Sequence, residues 1–504
     1  MPWSFGFVVM LVCLLILLAC GAVKMLFKRG MRLRAVRVRG KDRGGVVTVR
    51  TPVTTTDEAQ RSADATGLPR ALMRASGPLP AILVVLGVMG WLCWRVLMNR
   101  HHVLDAWVVW TFDVLFVIVA VQLVMAGFEG RMVGGGTVHR VAVLVPLYNE
   151  DPDVVVQMLS ALLNQTSPPA EIHVVDDGST QGAYLEERDW FIRQAAMARI
   201  YATWQRTANE GKRHAQIHGF RKIRDADLFV TVDSDSMLDA EALHEIVQPF
   251  SDPRVMSVAG VILAINNREN LLARVTDVIF VGQQLIDRSF MSRLGSVMVN
   301  SGGLAAYRRS ILADNIDIYT HESYLRRHVE FSDDSLLTLF ALLRGRTVQQ
   351  PSAFAFAWMP DRWSHHYRQQ ERWFRGSFIR GLWRIRFLPV LSWGWWRQVT
   401  GWMQVWLVIS LFVYLVLWRP LVVGDGIPPA ALLVPLAIGL AQGSRYIAVW
   451  RSDTTGSERC ISLILSPAAT LWSALILRPL RVWGMVTSGK TGWNTRQQVE
   501  VTSQ

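Results

Sequence analysis

Acidic residues with the spacing of a metal and diphosphate site occur near the middle of the chain. Asp233 and Asp235 stand one residue apart, directly after an apolar run at residues 228–232. Hard cations such as Mg²⁺ prefer oxygen ligands and usually complete their coordination shell with phosphate and water. The two carboxylates could therefore share a divalent cation with a diphosphate, although a lone Asp-x-Asp motif is common and weak evidence.

Two pairs of adjacent aspartates flank this motif, and each pair allows two interpretations. Asp176 and Asp177 precede Gly-Ser, a combination that also makes a simple turn. Asp333 and Asp334 precede an apolar run, and negative charge at that place stabilises a helix N-terminus. Taken alone, the second pair favours the helix terminus over its alternative, a general base that faces an acceptor.

Small and cationic residues separate the acidic motifs. Gly211, Lys212 and Arg213 provide a glycine for close approach and two cations for phosphate, although a solvated charged turn has the same composition. Residues 300–309 combine small side chains with a Tyr-Arg pair, and residues 368–373 read Arg-Gln-Gln-Glu-Arg-Trp. The small residues would let the backbone approach a ligand closely.

A parallel sheet is the element that must position these residues. Residues 141–146, 171–175 and 228–232 have the composition of buried strands, and residues 154–163 have helical spacing. In strand-helix-strand units, ligands bind at the carboxyl ends of the strands. The acidic motifs follow the second and third strands, so the sequence predicts an α/β domain with a polar site at that edge.

Composition indicates a polytopic membrane protein. Hydrophobic residues make up 51% of the chain, and several uncharged runs approach the roughly 20 residues that span a bilayer. The net charge of +13 is concentrated beside these runs, most densely at residues 24–50, which the positive-inside rule places in the cytoplasm. We therefore expect a lipid bilayer, and no nucleic acid, as a partner. The uncharged runs are 1–23, 75–94, 399–418, 426–444 and 460–477, with a weaker one at 106–128.

The charge pattern predicts five crossings and a large cytoplasmic domain. Pro467 interrupts the run 460–477, whose flanks are both basic, so we expect a bent or interfacial segment there. Arginines and aromatic residues alternate at 374–396, as at a headgroup interface, although a helix that packs on the domain would show the same mixture. The predicted segments are an anchor (1–27), a linker (28–79), a transmembrane pair (80–128), a cytosolic domain (129–373), an interfacial segment (374–398), a second transmembrane pair (399–448), a loop with the bent segment (449–489) and a tail (490–504).

The order of the motifs resembles that of the processive family 2 glycosyltransferases, most closely the hyaluronan synthases with their chitin-oligosaccharide and cellulose synthase relatives. The likeness runs from residue 141 to residue 386 and includes residues 493–496, Trp-Asn-Thr-Arg, which are similar to the Trp-Gly-Thr-Arg gating loop of hyaluronan synthases. This resemblance implies a GT-A-type, Rossmann-like cytosolic α/β domain inserted between the transmembrane helices of a plasma-membrane protein.

The resemblance also implies roles at the nucleotide end of the site. Asp176 and Asp177 would hold the uridine, with Lys212 near the nucleotide. Asp233 and Asp235 would serve UDP and its Mg²⁺ or Mn²⁺ ion, with Asp235 as the metal ligand.

At the acceptor end, the resemblance makes Asp334 the catalytic base of a single inverting displacement. Arg372 would stabilise the leaving UDP, and Gln369, Gln370 and Trp373 would contact the acceptor. A gating loop would close over the nucleotide through three residues: Trp493, Thr495 and Arg496.

The implied activity is polymerisation of UDP-sugars and translocation of the growing polysaccharide, with UDP-N-acetylglucosamine as donor and UDP-glucuronate as a candidate second donor. Ser332 and Ser335 stand where hyaluronan synthases usually have Gly and Arg, and Gly303 stands in place of Pro. These departures leave the choice of sugar open. The alternatives are a single-donor, chitin-like or other β-glycan synthase and a non-catalytic channel or scaffold with a retained transferase fold.

Overall fold

The computed structural model describes residues 69–73, 87, 106–136, 138–180, 182–426 and 430–492. Several predicted segments lie outside these residues: the N-terminal anchor, most of the linker and of the second crossing, and the gating-loop residues Trp493, Thr495 and Arg496. Within the predicted linker, Ala71–Met73 forms a short strand that pairs antiparallel with Val449–Arg451.

A mixed sheet of eight strands forms the centre of the α/β domain. Strand Val141–Leu147 is apolar and buried along its whole length, as expected where both faces of a sheet are covered. The strands of the chain are β1 (Ala71–Met73), β2 (Val141–Leu147), β3 (Glu171–Asp176), β4 (Tyr201–Arg206), β5 (Leu228–Thr231), β6 (Ser236–Leu238), β7 (Val255–Ala264), β8 (Ala305–Arg308), β9 (Ser323–Tyr324), β10 (Arg327–His328), β11 (Arg346–Ala357) and β12 (Val449–Arg451).

The three strands that the sequence predicts are confirmed as β2, β3 and β5. The strand order of the sheet is β4-β3-β2-β5-β8-β7-β11-β6. In it, β3, β2 and β5 are neighbours and parallel, so their carboxyl ends share one edge of the sheet. β8 is antiparallel to both neighbours. β6 also runs antiparallel to β11, and the sheet is therefore mixed rather than wholly parallel.

Helices cover the sheet and continue into the C-terminal third. A 3₁₀ segment, Gln248–Ser251, and three π-helical segments, Gln284–Arg288, Val413–Val423 and Ser473–Leu477, adjoin them. The α-helices are α1 (Ala106–Gly127), α2 (Pro152–Leu163), α3 (Leu185–Met197), α4 (Lys212–Phe220), α5 (Ala242–Val247), α6 (Leu271–Gln283), α7 (Ser289–Arg293), α8 (Arg309–Ala313), α9 (Ile316–Thr320), α10 (Asp333–Leu342), α11 (Trp363–Phe387), α12 (Trp393–Phe412), α13 (Ala430–Tyr446), α14 (Gly456–Trp472) and α15 (Arg478–Val486).

The hydrophobic core lies on both faces of the sheet. Successive side chains of a strand point to opposite faces, and β2 shows this directly. Val143 packs with α2 and α3 on one face, whereas Leu144 packs with α4 and α8–α10 on the other. Both side chains are buried, which explains why the sequence of β2 lacks polar alternation.

Two helical segments among the described residues are long and apolar enough to cross a membrane: Trp393–Val423 and Gly456–Val486. The predicted run 106–128 forms the single helix α1.

The chain stays helical through Pro467, and the bent or interfacial course of this segment stays a prediction. Proline removes the N–H that would bond to Leu463, four residues earlier. The hydroxyl of Ser466 donates to that carbonyl instead, at 2.6 Å. Gly439 and Gly443 of α13 pack closely against this turn, where a Cβ would meet Pro467 or Ser466 within 2.6 Å.

The expected headgroup interface at 374–396 also needs correction. Residues up to Phe387 continue α11, and Arg380 and Arg384 are buried in the protein, at 0% and 4% exposure. Their guanidinium groups bind Glu322 and the Met298 carbonyl oxygen. Beyond the helix, residues 389–391 are exposed, with Leu391 at 94%, whereas Trp395 is buried at 6%. Only the short stretch at 389–391 therefore has the continuous exposure expected at an interface.

Candidate functional site

A single cavity of 1770 Å³ collects most of the predicted site residues. It extends from the carboxyl ends of the strands to the apolar helices α1, α12 and α14. Asp176 is not among the residues that line it, and the gating loop lies beyond the described chain. The predicted residues that line it are Asp177, Lys212, Asp233, Asp235, Asp334, Gln369, Gln370, Arg372 and Trp373.

Asp177 holds the loop that precedes α4 in place through hydrogen bonds. Its Oδ1 accepts a hydrogen bond from the Glu210 N–H at 3.0 Å, and its Oδ2 accepts from the Gly211 N–H at 2.8 Å. Gly178 must be glycine here, because its φ is +74° and a Cβ would lie 2.8 Å from the Asn209 nitrogen. Burial raises the pKa of Asp177 despite these bonds. The carboxylate thus sets the loop at the cavity wall.

Asp176 instead stabilises the turn itself. It is fully buried, and its Oδ1 accepts from the Ser179 N–H at 2.9 Å. Its Oδ2 lies 3.5 Å from the Arg206 Nε. The turn that the sequence offered as an alternative is therefore present at Asp176, while its neighbour Asp177 faces the cavity.

Lys212 connects two acidic motifs that are far apart in sequence. Its Nζ lies 2.7 Å from Asp233 Oδ1 and 3.3 Å from Asp333 Oδ2. Burial opposes the charge, but the two carboxylates outweigh it and raise the pKa of Lys212. The amine is therefore a fixed cation between the donor end and the base end of the cavity.

Asp233 and Asp235 provide a donor set that fits a divalent cation shared with a diphosphate. Both carboxylates line the cavity just beyond β5. Gly302 packs directly on the first of them, since a Cβ there would lie 2.9 Å from Asp233 Oδ2. Among the described residues, no group of three His, Cys, Asp or Glu side chains could hold a metal alone. A cation here would need phosphate and water to complete its shell.

Asp333 and Asp334 begin helix α10 and also line the cavity. The helix terminus that the sequence favoured is thus confirmed, and the general-base role of the pair stays a prediction. Asp333 accepts from Gln216 Nε2 at 3.1 Å; burial would raise its pKa, but Lys212 and Arg213 lower it. Burial and the charge of Asp333 raise the pKa of Asp334 to about 7. A carboxyl poised near neutral pH suits a general base.

Residues 369–373 form part of α11, whose inner face borders the cavity. Trp373 stacks on Phe280 with ring centroids 5.8 Å apart, and 38% of its surface stays exposed. The Gln369 Oε1 is buried and has no hydrogen-bond partner among the described residues. An indole face and an unused amide oxygen are groups that can contact a sugar.

Arg288 and Glu322 are site components that the sequence did not reveal. Arg288 lines the cavity and donates to the Ser301 hydroxyl at 2.5 Å. Glu322 lies in a buried ion cluster behind the base segment. Neither residue has a patterned neighbour in the sequence, so no local signal could have found them.

Beyond Trp373 the cavity wall becomes aromatic and aliphatic. Phe378 and Trp402 stack with centroids 6.0 Å apart, and Trp406 and Leu411 continue the wall along α12. The polar site and the apolar helices therefore border one continuous space.

Comparisons with known proteins found the following similar chains. The profile of the family described as "Glycosyltransferase like family 2" matches residues 139–376. An N-acetylglucosaminyltransferase from Azorhizobium caulinodans is 32% identical over 380 residues, which cover 71% of this chain and 87% of the relative. A hyaluronan synthase from Streptococcus pyogenes is 29% identical over 370 residues, covering 72% and 84%. A mannosyltransferase from Pyrobaculum calidifontis, solved with GDP-Man and Mn²⁺, has 19% identity and a TM-score of 0.47, covering 79% of this chain and 99% of its own.

The fold and the acidic cavity define an α/β glycosyltransferase domain. The chain belongs to glycosyltransferase family 2. The prediction of a family 2 glycosyltransferase similar to hyaluronan synthase is thereby confirmed, and with it the prediction that the chain is an enzyme of the glycosyltransferase class.

Proposed function

We propose that the chain is a membrane-embedded, processive, inverting glycosyltransferase that polymerises UDP-sugars and passes the polymer through the bilayer, most similar in function to hyaluronan synthase. One observation carries this proposal. The carboxylates suited to a nucleotide and its metal, the Asp334 carboxyl and the aromatic wall of the apolar helices all border the same cavity.

The donor end of the cavity suits a nucleoside diphosphate. Lys212 is a fixed cation, and the loop that precedes it is held by Asp177. Asp233 and Asp235 would hold a Mg²⁺ or Mn²⁺ ion together with the diphosphate of the donor. When bound, that ion would neutralise charge on the departing diphosphate.

Asp334 is the proposed general base. It takes the proton from an acceptor hydroxyl, whose oxygen forms a bond to the anomeric carbon while the bond from that carbon to the UDP oxygen breaks. The configuration at the anomeric carbon inverts in this single displacement. Arg372 would stabilise the charge that develops on UDP, and Gln369, Gln370 and Trp373 would hold the acceptor sugar.

The position of α14, the π-helical segment and α15 supports a cytoplasmic catalytic domain with a C-terminus on the same side. At the start of this segment, Glu458 pairs with Arg268 of the α/β domain at 2.6 Å. Just beyond its end, the Thr491 carbonyl oxygen accepts from the Glu330 N–H at 3.2 Å. Since both ends contact one domain, we propose that the segment lies against the membrane without crossing it, within a multi-pass plasma-membrane protein.

This position also supports the gating role of the tail. Glu330 lines the cavity, and Trp493 follows Thr491, the residue that contacts Glu330, by only two positions in the sequence. We propose that Trp493, Thr495 and Arg496 close over the bound nucleotide from there.

Donor use decides between the proposal and its alternatives. Purified protein in lipid nanodiscs would receive Mg²⁺ or Mn²⁺ with UDP-N-acetylglucosamine and UDP-glucuronate, singly and together. We expect sustained UDP release only with both donors and a polymer that hyaluronidase degrades. Polymer from one donor alone would favour a chitin-like or other β-glycan synthase, and a lack of UDP release under all conditions would favour a non-catalytic scaffold.

A further inference from the structure

A buried ion cluster lies behind the segment that carries Asp334. The Glu322 carboxylate, 7% exposed, binds Arg213 Nη2 at 2.8 Å and the Arg380 guanidinium at 2.6 and 3.0 Å. The Trp383 Nε1–H also donates to it at 2.8 Å. Burial would raise the pKa of Glu322, but the two guanidinium groups hold it at about 2. The carboxylate is thus ionised and fully engaged.

Both arginines of this cluster also bind the backbone next to the proposed base. Arg213 Nη2 donates to the Phe331 carbonyl oxygen at 2.7 Å. Arg380 Nη2 donates to the Ser332 carbonyl oxygen at 3.3 Å, and its Nε donates to the Ser335 hydroxyl at 3.2 Å. Residues 331–335 are therefore tied to one carboxylate through two guanidinium groups.

The tied segment contains a strained residue. Ser332 has φ +64°, in the left-handed region that disfavours L-residues with a side chain. Such conformations persist only where the surrounding structure holds them. Gly376 of α11 packs on this residue so closely that a Cβ would lie 2.7 Å from the Ser332 Oγ. The strain is stored directly beside Asp333 and Asp334.

We propose that Glu322 is a positioning residue for glycosyl transfer: it holds Arg213 and Arg380 against residues 331–335 and thereby fixes the Asp334 carboxylate. The inference rests on the proposed function, because it needs Asp334 to act as the base. The buried ion cluster also joins α4, which carries Lys212 at the donor end, to α11 at the acceptor end. Glu322 itself does not line the cavity among the described residues.

The test is Glu322→Gln in the full chain in nanodiscs. Misplacement of a catalytic group by about 1 Å can cost roughly 100-fold in rate, so we expect kcat for UDP release, with both UDP-sugars present, to fall by about 10- to 100-fold. The donor KM and the Kd for UDP should stay within about threefold, since the contacts of Lys212 with Asp233 and Asp333 do not involve Glu322. A kcat within about twofold of the unchanged protein would overturn the proposal.

A second substitution separates positioning from general destabilisation. Glycine adopts positive φ without strain, so Ser332→Gly added to Glu322→Gln should recover several-fold of the lost kcat. No recovery would count against the proposal. The matched control is Glu245→Gln, which removes a buried carboxylate paired with Arg131 outside the cavity; its kcat should not change.

Arg380→Lys provides the same test if Glu322→Gln does not fold. Lysine keeps one positive charge near Glu322 but cannot make the forked bonds to Ser332 and Ser335. A reduced kcat with unchanged UDP affinity supports the proposal, and an unchanged kcat contradicts it. Absence of UDP release from the unsubstituted protein would instead contradict the proposed function.

Discussion

The two aspartate pairs have the same sequence and opposite surroundings. In the pair at the end of β3, Asp177 accepts hydrogen bonds from two backbone amides, whereas Asp334 at the start of α10 accepts from one, that of Ser335. Burial and the adjacent Asp333 carboxylate raise the pKa of Asp334. Amide donors stabilise a carboxylate, and a second negative charge favours protonation. The first arrangement holds a binding loop in place, and the second suits a group that accepts a proton.

The largest expected effect comes from Asp334→Asn. An amide keeps the shape of the side chain but cannot take a proton from the acceptor, so turnover should fall by about 10²- to 10⁴-fold. The measurement is initial-rate UDP release with saturating donors. Asp314→Asn, a change of an exposed surface carboxylate, is the control. Equal rates for both variants would remove Asp334 from the chemistry and favour the non-catalytic alternative.

Asp177→Ala should act mainly on donor binding. The substitution leaves the amides of Glu210 and Gly211 without their acceptor, which costs about 1–3 kcal/mol where such groups stay buried. We expect the donor KM to rise by about tenfold, with a smaller change in kcat. A loss of kcat at unchanged KM would instead place Asp177 in the chemical step.

The pH dependence of turnover should follow the ionisation of Asp334. Asp334 acts only when deprotonated, and its pKa is raised to about 7, so activity should increase as the pH rises through that value. Asp333→Asn removes the adjacent negative charge and should move this rise to lower pH. A profile of kcat/KM against pH checks the shift. An unmoved or upward-moved rise would show that Asp333 does not control Asp334.

Asp176→Asn should have the smallest effect. The Asn oxygen can still accept from Ser179, and only the attraction to the half-exposed Arg206, 3.5 Å away, is lost. Donor KM should stay within about threefold, as steady-state kinetics can show. A loss of donor binding equal to that of Asp177→Ala would restore the uridine-binding role that the resemblance implied for Asp176.

The sequence predicts the edge of the sheet well, because β2, β3 and β5 are rich in apolar residues and are followed by polar motifs. Parallel pairing then brings Asp177 and Asp233 together without further information. The sequence does not show that Asp176 turns away from the cavity, since side-chain direction depends on the exact end of β3.

Long-range contacts explain most of the remaining differences between the structure and what the sequence predicts. Lys212 contacts Asp333, which lies 121 positions later in the sequence (333 − 212), and no sequence pattern predicts such a pair. By local rules, Pro467 predicts an interruption of the helix, but the neighbouring Ser466 hydroxyl donates to the carbonyl oxygen of Leu463 that the proline leaves free. The sequence predicts Arg380 to be an interfacial cation, because nothing in the sequence shows that its buried partner Glu322 lies beside it.

A calorimetric titration of UDP with Mn²⁺ into the Asp177→Ala and Asp334→Asn variants tests the central contrast most directly. The account predicts that Asp334→Asn binds UDP as the unchanged protein does, although it no longer turns over, and that Asp177→Ala binds about tenfold more weakly. Loss of UDP binding in Asp334→Asn with normal binding in Asp177→Ala would contradict the account.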